Sequence, residues 1–132
     1  FHRVYILDFE FELELEQEAN PDYQGQVKNF LVQFSQDLNL IQFFTFTSSI
    51  TQGWLIEKGS NILACAQMIH SDLAKRFKFA EVLSWDKFLV IENNLSSSEK
   101  FSWSLAKSKG FLKNVGKDYL LSDKDIIKIQ IY

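Results

Sequence analysis

The stretch NILACAQMIHSDLAKRFKFAEVLSWDKFL, residues 61–89, decides the fold. Ile62, Ala66, Ile69, Leu73 and Phe77 recur at helical spacing, and the run from Phe79 to Trp85 carries the short apolar pattern of a buried strand. One helix therefore hands directly to one strand. Outward from this unit, Phe43 to Phe46 and Trp54 to Glu57 on one side, and Tyr119 to Leu121 and Ile126 to Tyr132 on the other, are β-like. A single helix among several strands predicts a small α+β domain with the helix on one face of a sheet.

A chain of 132 residues with 46% hydrophobic content can bury one ordinary core and carry an appendage. Its net charge of −3 is unevenly spread. Residues 8–22 hold seven acidic side chains and no basic one, whereas from Tyr23 onward 13 Lys/Arg face 10 Asp/Glu, and from Lys100 onward 7 face 3. An acidic segment thus masks a mildly basic body. The lone Cys65 allows no internal disulfide and suits a reducing compartment. No apolar run approaches the roughly 18 residues that a membrane helix needs. No signal-like leader is visible, and Phe1 in place of a Met fits a processed product or a piece of a longer chain.

The N-terminal part reads as one strand and one helix. Val4 to Leu7 is continuously apolar, after which Phe9, Phe11, Leu13 and Leu15 alternate with Glu10, Glu12, Glu14 and Glu16. Period two makes this an amphipathic strand with one solvated acidic face. A metal site would need oxygens converging from several elements, so the ladder is read as solvated charge. After a turn at Pro21, the apolar residues Val27, Phe30, Leu31, Phe34, Leu38 and Ile41 form one stripe of an amphipathic helix. That helix, from Val27 to Leu38, packs on a core or joins the acidic strand in holding a neighbouring domain or subunit.

Four blocks then carry a resemblance: LIQFFTF at 40–46, WLI at 54–56, MIHSDLAKRFKFAEVLSWDKF at 68–88 and GKDYLLSDKDIIKIQI at 116–131. Their order and mutual spacing resemble the C-terminal TGS domain of the YchF family, the Obg-like ATPases, over about the last 92 residues. The resemblance implies a β-grasp, ubiquitin-like fold for residues 41–132, and makes residues 1–40 the end of a P-loop nucleotide-binding domain. It departs from the family where Asp8, Phe9 and Glu10 replace a Ser-Ala-Lys triplet that meets the base, and where Arg76 replaces a glycine. The segment 92–107, ENNLSSSEKFSWSLAK, is longer than the family's connection and reads as a polar loop and a short helix.

No catalytic set emerges from the residues. The nearest approach to a phosphate loop, GFLKNVGKD at 110–118, has five residues between its glycines instead of four and an Asp where a hydroxyl should hold magnesium. It reads instead as a hairpin signal, with Gly116 supplying a positive φ. His70 lacks a Cys, Ser or second His placed to work with it and reads as a hydrogen-bonded structural residue. The expectation is therefore a binding module with no cofactor and no metal. Lys75, Arg76, Lys78, Lys107, Lys109, Lys113 and Lys117 are the candidate phosphate contacts, with Trp85 or Trp103 as stacking surfaces. The resemblance implies the ribosome or structured RNA as partner, in the cytoplasm or an organelle matrix. Two rivals remain: a piece of an intact ATP/GTP hydrolase whose P-loop lies upstream, and a protein-interaction subunit using the sheet.

Overall fold

The computed structural model describes residues 26–46 and 51–132. The acidic strand and the Pro21 turn lie outside the described residues. The chain divides into two compact units at the Leu40–Ile41 boundary.

In the first unit, α1 (Gln26–Asp37) is the amphipathic helix expected from the apolar stripe. Phe30 and Phe34, one turn apart, stack at 5.4 Å between centroids. The helix ends where Asn39 takes a φ of 56°, the left-handed closing conformation that Asn tolerates better than most residues. Leu31, Val32 and Leu38 keep roughly half of their surface exposed.

The second unit is α+β. Its strands are β1 (Leu40–Phe46), β2 (Thr51–Glu57), β3 (Phe77–Leu83), β4 (Lys113–Val115) and β5 (Asp125–Ile131). They form one sheet in the order β2-β1-β5-β3-β4. β5 lies between β1, to which it is parallel, and β3, to which it is antiparallel. Four helices connect the strands: α2 (Ile62–Ile69) and α3 (Ser71–Lys75) before β3, then α4 (Trp85–Asn94) and α5 (Trp103–Ser108) before β4.

Strand alternation gives the sheet two buried faces. Phe43, Val82 and Ile127 join Ile62 and Cys65 of α2 in one core. On the other face, Leu83 and Ile126 join Ile91, Trp103 and Ala106 of α4 and α5. The neighbours Ile126 and Ile127 thus serve opposite cores. The expectation of one helix on one face is corrected here. The spacing of Trp85, Phe88 and Ile91 is that of a helix, and the apolar run ending at Trp85 had absorbed its first residue into the strand.

The predicted helix through Phe77 also breaks. His70 has an extended backbone, closes α2 and caps α3 by accepting the Asp72 N–H on Nδ1 at 3.1 Å. This is the structural role foreseen for it. The run from Tyr119 to Leu121 contributes only a single bridge, Leu120 to Asn61, and ties the start of α2 through the Ile62 N–H to Tyr119 carbonyl bond of 2.8 Å. Gly116 does not take a positive φ. Among the described residues, the left-handed positions are Gly59, Gly110, Asn39 and Lys124. Gly110 closes α5, with its own N–H on the Lys107 carbonyl and that of Phe111 on the Ala106 carbonyl, so the false phosphate loop begins as a helix stop.

The long connection 92–107 is part of the core. Trp103 is 8% exposed, stacks on Phe46 and donates its indole N–H to Glu81 at 2.9 Å. We predict that Trp103→Ala lowers unfolding free energy by about 3–5 kcal/mol in a denaturant titration. A decorative surface segment would lose no more than about 0.5 kcal/mol.

Candidate nucleic-acid interface

The seven candidate cations are all exposed, but the fold divides them. Lys75 ends α3, Arg76 follows it, and Lys78 sits in the bulge at the start of β3. Arg76 pairs with Asp72 at 3.3 Å and donates to the C-terminal carbonyl of Tyr132 at 2.6 Å, while the Lys78 ammonium lies 5.6 Å from the Tyr132 ring. Arg76 and Lys78 therefore meet at Tyr132, with Lys75 next to Arg76 in the chain.

Lys113 sits across from Val82 in the β3–β4 register, about 13 Å along the strand from Lys78 at 3.3 Å per residue. Its ammonium lies 5.2 Å from the Tyr119 ring. Lys107 faces Glu81 at 3.9 Å, Lys109 closes α5, and Lys117 lies in the turn after β4. The basic residues therefore form a group at the start of β3 and a looser series leading towards its far end. Of the two candidate stacking rings, Trp103 is buried and its N–H is committed to Glu81. Trp85 is half-buried, packed on Phe44 at 5.7 Å and under the Lys124 ammonium at 5.6 Å.

Two buried titratable groups have structural explanations. Cys65 is fully buried and donates to the Asn61 carbonyl, and burial pushes its thiol up to about 12, so it is no nucleophile at neutral pH. Asp125, 2% exposed, pins the turn before β5. One of its oxygens accepts the Tyr119 hydroxyl at 2.8 Å and the Ser122 N–H at 3.0 Å. Burial raises its pKa from the ordinary 3.8 by more than these bonds and the Lys113 charge lower it. The same burial and the Asp125 bond push Tyr119 up to about 12.

Lys87, Lys124, Phe111 and Tyr119 escaped the sequence reading. Lys124 stands between Asp123 and Asp125, and Lys87 follows Asp86, so each has a carboxylate beside it in the chain. Only the fold shows where those carboxylates are spent. Asp123 accepts the Gln42 N–H at 2.8 Å, and Asp125 serves its own turn.

An α+β domain carrying a series of exposed basic side chains is the class that fold and site define. A family model for the YchF-GTPase C-terminal region, described as a protein of unknown function (DUF933), matches residues 40–132. The chain belongs to this YchF-GTPase C-terminal family. It is 38% identical over 91 residues to the ribosome-binding ATPase YchF of Mycoplasma genitalium, covering 69% of this chain and 22% of that protein. It is 35% identical over 100 residues to an Obg-like ATPase homolog of Saccharomyces cerevisiae, covering 76% and 23%. The chain thus spans under a quarter of the length of these relatives. The fold is similar to that of the Schizosaccharomyces pombe YchF GTPase, with a TM-score of 0.69, 21% identity, and coverage of 95% of this chain and 30% of that one.

The raised pKa of Asp125 fixes the sign of a pH effect. Its folded-state pKa lies above the unfolded one, so its contribution to stability is full below the unfolded pKa and is lost as pH rises through the folded pKa. Asn keeps an amide oxygen for both donors without the buried charge. Thermal unfolding followed from about pH 4 to pH 8 should show wild type losing this increment with rising pH and Asp125→Asn losing less.

Proposed function

We propose that residues 41–132 are a TGS-like β-grasp module that docks on the ribosome or on structured RNA and performs no chemistry itself. The sheet order, with its central parallel pair closed by a helical crossover, supports the β-grasp reading. The observation that carries the partner is family membership, together with the name ribosome-binding ATPase borne by bacterial relatives. Docking is electrostatic. Lys75, Arg76 and Lys78, with Lys107, Lys109, Lys113 and Lys117 alongside, displace counterions from phosphates. A cytoplasmic location follows from such a partner. The exposed Leu31, Val32 and Leu38 of α1, with the acidic segment before it, join a neighbouring domain or subunit. No helix among the described residues is long and apolar enough to cross a membrane.

A second reading is favoured by the relatives' length. A nucleotide-hydrolysing domain belongs upstream in the same polypeptide, and this module then directs it to its partner. A phosphate-loop motif in the full gene, and ATP hydrolysis by its product, support that reading; absence of both removes it.

Co-sedimentation with ribosomes across a salt series tests the docking. The chain should bind at low salt, lose affinity steeply as salt rises, and bind more weakly when Lys75, Arg76 and Lys78 are changed together to Ala. Binding that ignores both salt and the triple substitution contradicts the electrostatic mechanism.

A further inference from the structure

A cleft of about 390 Å³ opens beside the first turn of α4, at the end of β3 remote from Lys78. Lys87 of α4, Lys113 of β4 and Lys124 of the turn before β5 reach it from three separate elements. Each ammonium rests near an aromatic ring of the same cleft: Lys87 at 5.7 Å from Phe111, Lys113 at 5.2 Å from Tyr119 and Lys124 at 5.6 Å from Trp85. Three cation–ring pairs therefore line one opening.

The carboxylates there form no ion pair within 4 Å with them, although the Lys113 charge acts on Asp125. Asp86, Asp123 and Asp125 also line the cleft, but Asp123 is turned to the Gln42 N–H and Asp125 to Tyr119 and Ser122. Asp86 stands in the first turn of α4, where the helix dipole favours it. Among the described residues, Arg76 and Lys107 pair with carboxylates within 4 Å, whereas Lys87, Lys113 and Lys124 form no such pair. Lys124 additionally holds a φ of 64°, a conformation that Gly takes at no steric cost and Lys does not. The strain keeps an ammonium where a glycine would fit the turn better.

We propose that this cleft is a subsite for single-stranded RNA. Lys87, Lys113 and Lys124 swing from the rings to successive phosphates, and the ring faces they uncover stack against bases. The exchange is favourable because a charge-assisted bond to phosphate is stronger than an exposed cation–π contact, and because bare aromatic faces bind bases of any sequence. A free phosphate would use the lysines alone, and an acidic peptide would leave the rings idle. Only a ligand alternating anionic groups with flat rings uses both sets. The inference rests on the RNA-docking reading above, and adds a surface that shares only Lys113 with the cations read from sequence.

The test is a fluorescence-anisotropy titration with a fluorescein-labelled single-stranded RNA of about ten nucleotides, run beside ribosome co-sedimentation. It compares the intact chain, a triple Ala variant at Lys87, Lys113 and Lys124, and Lys124→Gly. Wild type should bind the oligonucleotide at low salt with quenching of tryptophan fluorescence. The triple variant should bind at least ~10-fold more weakly, with a log–log salt slope shallower by about 2. Lys124→Gly should weaken binding while its melting temperature stays level or rises, which separates lost contact from lost folding. Equal binding by the triple variant overturns the proposal, as does a chain that sediments with ribosomes but ignores the oligonucleotide. Failure to bind either removes the docking reading together with it. Cleft-dependent oligonucleotide binding without ribosome binding sustains the cleft and removes the ribosome.

Discussion

The structure depends on the position of β5, the last strand of the chain and the centre of the sheet. A parallel pair cannot be closed by a tight hairpin, so pairing β5 with β1 makes everything between Phe46 and Asp125 a crossover. That crossover contains the helices of both faces as well as β2, β3 and β4. Ile126 and Ile127 then bind the layers, each through the core on its own side. The turn that launches β5 is held accordingly, with Asp125 buried on Tyr119 and Ser122 and with Lys124 donating its N–H to the Gln42 carbonyl at 2.7 Å.

This arrangement places the polar groups of the domain in two settings. Its buried polar groups are spent on turns and on joining layers: Asp125 on the β5 turn, Glu81 on Trp103 and Gln130. The cations are left at the rim. Lys78, Lys87, Lys113 and Lys124 rest against rings, whereas Arg76 and Lys107 meet carboxylates.

Much of the fold was legible because hydrophobic period is local. The strands near Phe43, Trp54 and Ile126 and the helix around Val27 follow from spacing alone, and the four blocks from Leu40 onward carried the family. The places where the reading slipped share one physical cause. Phe77 and Trp85 are apolar residues at handovers between helix and strand, where both periods fit and the apolar pattern alone does not set the boundary. Trp103 looked like surface because its neighbours are Ser and Lys, yet a partner 22 residues away, Glu81, fixes it inside. Lys87 and Lys124 of the cleft each stand beside an aspartate in the chain, and a sequence shows which charges are neighbours but not which way they face. Positive φ at Lys124 instead of Gly116 was equally beyond reach, because it answers to the β1 carbonyl across the sheet.

The claim on which the account rests is that β5 organises both cores. Native-state hydrogen exchange on the intact chain tests it most directly, because amides that open only with global unfolding exchange slowest. The account predicts that the amides of Ile126 to Ile129, with those of Phe43 and Val82 beside them, form the slowest group and share one opening free energy, while those of α1 and α5 open sooner. Fast exchange along β5, or two slow groups with distinct opening free energies on the two faces of the sheet, would contradict it.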